Sequence, residues 1–154
     1  MEEQEYKDTY HNLNQRRCRF EKTINSRRCT CEKALRFHLA DREGIACKSA
    51  AGNALCTQLL DSMRHKARFA LHMTRADSPL PHAKEIKVQT GGLLGLQALL
   101  HPEKAADQNI DNVIGLIDLA IECFGSLSDI PYDGIIQSIV RFEGRRKRTR
   151  GEDS

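Results

Sequence analysis

Tryptophan is missing from this sequence, and phenylalanine and tyrosine together supply only 5% of it. Prolines number four in 154 residues, while alanine and leucine are common, a balance that favours helices over strands. No uninterrupted apolar run approaches the roughly 20 residues of a membrane-spanning helix. The longest candidate, residues 91–100, is short and contains Gln97. The start, Met-Glu-Glu-Gln-Glu-Tyr-Lys, is acidic and polar, unlike the basic start and apolar stretch of a secretory leader. A cytoplasmic setting is therefore expected, in which thiols stay reduced.

Familiar catalytic patterns are missing too. There is no Gly-x-Ser-x-Gly, no His-Glu-x-x-His and no paired-carboxylate motif. Gly91, Gly92 and Gly95 lack the Lys-Ser/Thr that would complete a phosphate loop. The sequence thus gives no reason to expect an enzyme.

What is present is cysteine. Five of the six cysteines fall within forty residues, as Cys18-x10-Cys29-x-Cys31-x15-Cys47-x8-Cys56. In a reducing compartment such density points to metal ligation or redox chemistry rather than to structural disulfides. Cys18 lies off the apolar stripe of the first expected helix, where a merely structural thiol would not sit. Cys29 and Cys31 bracket an expected helix start, and Cys47 precedes the next one. Backbone N–H groups at helix starts stabilise thiolates. Cys56 fits either a ligand or a core residue. Cys123 is expected in the core, beside Leu119 and Ala120.

Cys18, Cys29, Cys31, Cys47 and Cys56 are accordingly the candidate metal ligands. Four thiolates suffice for zinc or for a four-iron cluster. The spacing matches neither the paired knuckles of zinc sites nor the Cys-x2-Cys runs of ferredoxins. Presentation of ligands by helices, and one spare cysteine, favour iron–sulfur. His38 and His65 are expected as partly buried or helical residues rather than ligands.

Helical spacing predicts an all-α fold of five to six helices. The expected helices cover 7–25, with Tyr6, Tyr10, Leu13, Phe20 and Ile24 on one face, then 31–43, 50–73 with Ser49 as N-cap, 91–100, 107–124 and 132–144. Pro79 and Pro81 suggest a linker over 76–87. It would separate a cysteine-rich lobe at 1–75 from a second lobe at 88–144, with a disordered basic tail at 145–154.

Charge follows the same division. Residues 1–75 hold fifteen Lys and Arg against nine Asp and Glu, about +6; residues 76–144 hold four against ten, about −6; the tail returns to about +3.

The function expected from these features is that of a small cysteine-ligated metalloprotein, with an iron–sulfur cluster or zinc, serving electron transfer, redox sensing or a larger redox enzyme. The competing expectation is a non-enzymatic, zinc-stabilised interaction or regulatory protein. Another protein is the expected partner. Nucleic-acid contact through Arg16, Arg17, Arg27 and Arg28 would be weak, because no stacking aromatics accompany them.

Overall fold

The structure is a computed structural model, described here for residues 2–72 and 80–143. Six longer helices, two short 3-10 turns (Pro102–Lys104 and Leu127–Asp129) and one two-stranded antiparallel sheet make up its regular structure among these residues. They are α1 (Glu3–Leu13), α2 (Glu21–Asn25), β1 (Ala34–Leu39), β2 (Arg42–Cys47), α3 (Ala50–Ala67), α4 (82–100), α5 (Val113–Phe124) and α6 (Asp133–Arg141). Helix α4 joins His82–Ile86, a π-helical stretch Lys87–Gly91 and Gly92–Leu100 without a break.

The sheet corrects the all-α expectation. The segment 31–43, expected as a helix, instead feeds a hairpin whose register runs from Ala34 opposite Cys47 to Leu39 opposite Arg42. Ala40 and Asp41 form the two-residue loop, with Ala40 at φ +55°. Ala-Asp is not one of the glycine- or asparagine-rich pairs that usually mark such loops, so the turn left no trace in the sequence. Gly44 does not cap a helix. It faces Phe37 across the strands, and a Cβ on Gly44 would lie 2.3 Å from Phe37 Cζ. The ring covers the glycine, and the pair holds the hairpin.

The long first helix also divides. Asn14 ends α1, and its side-chain amide donates to the Ile45 carbonyl at 3.0 Å. Beyond it the chain turns and meets the free side of β2 at one isolated bridge, Arg17 to Ala46. Glu21, at the start of α2, accepts from the Ile45 amide at 2.7 Å and from Arg17 Nε at 2.8 Å, and also receives the Tyr10 hydroxyl. Long-range pairing with β2 thus outweighs the helical spacing of Phe20 and Ile24.

Helix α3 begins as expected: the Ser49 hydroxyl accepts from the Gly52 amide at 2.9 Å. It ends at Ala67, with Leu59, Leu60, Met63 and Ala67 buried. One hydrophobic core runs from Phe20, Ile24 and Ile45 through these residues to Leu93, Leu96, Ile117, Ile135 and Ile139. Gly91 permits the close approach of α4 and α6, since a Cβ there would lie 2.9 Å from Ile139 Cα. A buried polar seam ties α2 to α4: Thr23 bonds Thr90 at 3.0 Å, and Gln89 donates to Glu85, which takes a two-pronged bond from Arg64. The linker expected over 76–87 lies partly outside the described residues, and its end, His82–Ile86, is helical. The expected disordered tail at 145–154 lies outside them altogether.

Candidate functional site

Backbone pairing brings the cysteines together. The Cys18 amide donates to the Ile45 carbonyl at 2.9 Å, and the Cys47 amide donates to the Arg16 carbonyl at 2.8 Å. These two bonds fix Cys18 beside the last residue of β2. Cys29 is held by a second bridge, to Ile110 in the extended stretch before α5. There the Thr30 amide donates to Ile110 O at 3.1 Å, and the Val113 amide to Thr30 O at 3.0 Å. Cys31 follows directly, at the foot of β1. The Lys48 amide then closes the feet of the hairpin by donating to Lys33 O at 2.8 Å. Cys56 arrives on α3, two turns from its cap.

The result is a cavity of about 20 Å³ lined by Cys18, Cys31, Cys47 and Cys56, with Phe20, Ile24, Ala34, Asn53 and Val113 among the other walls. A void of that size holds about one water. Its walls are almost entirely apolar apart from the thiols and the neighbouring Arg19, Lys33 and Asn53. Four of the five expected ligands therefore share one space although they come from four separate stretches of chain. Cys29 does not line it. It is buried in the core behind, 3% exposed. Cys47 Sγ donates to the Ser49 carbonyl at 3.2 Å.

Burial pushes the Cys18 thiol up to about 12, the Phe20 amide opposing and the nearby Cys31 and Cys47 adding to the effect. Burial likewise raises Cys56 to about 12, helped by Cys18, Cys31 and Cys47. Cys29 is raised as well, first by burial and then by Cys18, Cys31 and Cys56. Neutral, desolvated thiols are poor nucleophiles. Burial thus disfavours the nucleophilic thiolate at Cys18, Cys29 and Cys56. Among the described residues no three of His, Cys, Asp and Glu are placed to hold a metal ion as they stand. All six cysteines are free.

Other expectations fare differently. Cys123, expected in the core, is exposed, because α5 turns that face outward near its C-terminal end. His38 and His65 are exposed, and neither lines the cavity. Cys18 lies outside any helix, so its position off a helical stripe has no meaning; what marks it is its pairing with β2. The contributions of Asn53 and Val113 to the cavity, and of Ile110 in placing Cys29, had no signal in the sequence.

Among the described residues no helix is long and apolar enough to cross a membrane. Comparison with known protein families, with curated proteins and with solved structures returns no match for this chain.

Proposed function

We propose that this chain is a small cysteine-ligated metalloprotein in which Cys18, Cys31, Cys47 and Cys56 hold an iron–sulfur cluster, and that it transfers or senses electrons or assists a larger redox enzyme in the cytoplasm. The observation that carries this reading is the convergence of those four thiols on one small apolar cavity. Four thiols gathered from distant stretches, Cys56 buried and Cys18, Cys31 and Cys47 half-buried, need a common purpose. Core packing is the ordinary use of an unpaired cysteine and suits Cys56, whereas Cys18, Cys31 and Cys47 are only half-buried.

The choice of cluster over zinc rests on spacing. Zinc–sulfur bonds are about 2.3 Å long, so a single ion needs its sulfurs almost in contact with one another. No three donors among the described residues are gathered so tightly. A cubane spreads its four ligands more widely, and a cavity with room for about one water would have to open to admit it. Helical presentation gives no support, since only Cys56 sits on a helix. Binding would require all four thiols to lose their protons, so the metal must offset the desolvation that holds Cys18 and Cys56 neutral. Cys29 would remain a core thiol.

Zinc is the second reading. It is favoured by the short, irregular stretches 14–20 and 26–33, which an ion would tie to the hairpin and α3. Such a centre would serve a non-enzymatic interaction or regulatory protein. Anaerobic purification separates the two. A brown protein with iron and sulfide in equal amounts supports the cluster, and a colourless protein with one zinc supports the second reading. A folded, metal-free protein that takes up neither when supplied with them would contradict both.

A further inference from the structure

We infer that two copies of this chain pair through Phe69, the ring of each entering a groove on the other. Helix α3 keeps its core face to its end and one turn beyond. Leu59, Met63, Ala67 and Leu71, spaced four residues apart, are all buried, and the Leu71 amide still donates to the Ala67 carbonyl at 2.9 Å. Phe69 falls between the last two of them. At about 100° per residue it points to the opposite side. Its side chain is 91% exposed, whereas the other four phenylalanines are buried or half-buried.

Single exposed apolar side chains are common on protein surfaces. Phe69 is not isolated, because it borders a groove of about 600 Å³ between the end of α3 and the start of α6. Ala70, Ile130, Tyr132 and Ile136 supply the apolar walls of that groove, and the exposed Lys66 and Asp133 line it too. Lys66 Nζ lies 5.2 Å from the centre of the Tyr132 ring. Neither Lys66 nor Asp133 has an ion-pair partner among the described residues.

This arrangement selects the occupant. A two-fold contact presents the same patch from both sides, so the patch must be complementary to itself. It needs a projection, a hollow beside it, and charges of both signs. Phe69 is the projection and the groove is the hollow. Lys66 of one copy meets Asp133 of the other, and the symmetry repeats that pair. The inserted ring is the anchor, since buried aromatic residues carry much of the binding energy of protein interfaces. The groove shares no residue with the cysteine cavity, so the inference stands or falls apart from the metal centre.

The test is sedimentation equilibrium of the full chain from about 1 μM to about 1 mM. Reductant is kept in every sample so that the exposed Cys123 cannot link copies. The wild type should pass from monomer to dimer within that range. Phe69→Ser should raise the dissociation constant about tenfold or more. The melting temperature of its monomer should not fall, since the exposed ring leaves no space in the core. Lys66→Glu and Asp133→Lys should each weaken pairing, because each sets like charges against one another in both contacts. Mixed together, these two proteins should pair more tightly than either does alone, because both contacts of the mixed dimer then join unlike charges. Lys66→Gln and Asp133→Asn stand in if a reversal fails to fold, each with a smaller loss of affinity. A wild type that stays monomeric up to about 1 mM would overturn the inference; if Phe69→Ser then lowers its melting temperature, the chain itself covers the ring. A dimer that Phe69→Ser leaves equally tight, or charge variants that mix without pairing, would overturn it as well.

Discussion

The amide of Cys18 donates to the carbonyl of Ile45 at 2.9 Å, and that bond turns a stretch of chain that reads as helix into a wall of the cysteine cavity. It is reinforced by Glu21, whose buried carboxylate accepts the Ile45 amide on the same strand. The cavity therefore depends on residues that do not line it.

Glu21→Ala should destabilise the fold by about 1–3 kcal/mol, because it leaves the Ile45 amide and Arg17 without their acceptor. Metal content should fall with it, since Cys18 loses its guide. Denaturant unfolding and metal analysis on the same variant check this; full metal retention with a lowered midpoint would show that Cys18 is held independently of Glu21.

The Tyr10 hydroxyl gives an alkaline signature. Burial raises its pKa, and its hydrogen bond to Glu21 raises it further. A folded-state pKa above the unfolded value of about 10 means that the neutral form is favoured in the fold. That stabilisation is fully present below about pH 10 and is lost as pH rises beyond it. Tyr10→Phe should lower stability at neutral pH and flatten its decline above pH 10. An unchanged alkaline decline in thermal melts would place its origin elsewhere.

Gly91→Ala tests the packing of the helical half. A methyl group there would meet Ile139 Cα and Phe142 Cβ, both at 2.9 Å. Backbone cannot give way as a side chain can, so a loss of about 1–3 kcal/mol is expected. Visible absorption per folded molecule should not change, because Gly91 lies outside the cavity wall.

Thiol reactivity separates the cysteines without any assumption about metal. In reduced, metal-free protein at pH 8, iodoacetamide should label the exposed Cys123 first. Cys18, Cys29 and Cys56 should lag, since burial keeps their thiols neutral. Peptide mapping by mass spectrometry reads the order. Rapid labelling of Cys29 would mean that the stretch from Arg28 to Thr30 does not stay paired with Ile110.

The helices with strong local signals were legible in the sequence. Ser49 capped α3 where its hydroxyl preceded a helical stripe, α6 fell close to its expected place, and α5 ended where expected but begins at Val113 rather than near 107, because Ile110 pairs with Cys29 instead. The hairpin was not. Ala34, Leu35 and Leu39 suit a helical face as well as a strand, and the Ala40-Asp41 loop carries no turn signature. The break at Asn14 depends on partners some thirty residues away, Ile45 and Ala46, which no local pattern reveals. The cysteines themselves were legible as a set because their density is independent of secondary structure. Which of them share a cavity was decided by the two bridges, Arg17 to Ala46 and Cys29 to Ile110, and so could be read only from the fold. Cys123 was misplaced because α5, apolar over most of its surface, offers two faces that look equally suited to the core.

The central claim is that four particular thiols form one centre, and the most direct measurement is iron and sulfide content with visible and electron paramagnetic resonance spectra on anaerobically purified protein. The wild type and the single variants Cys18→Ala, Cys31→Ala, Cys47→Ala, Cys56→Ala, Cys29→Ala and Cys123→Ala should be compared. A cluster signal is expected in the wild type, lost or sharply reduced in the first four, retained in Cys29→Ala at whatever fraction remains folded, and unchanged in Cys123→Ala. A cluster that survives loss of Cys47 or Cys56 but not of Cys29 would contradict it.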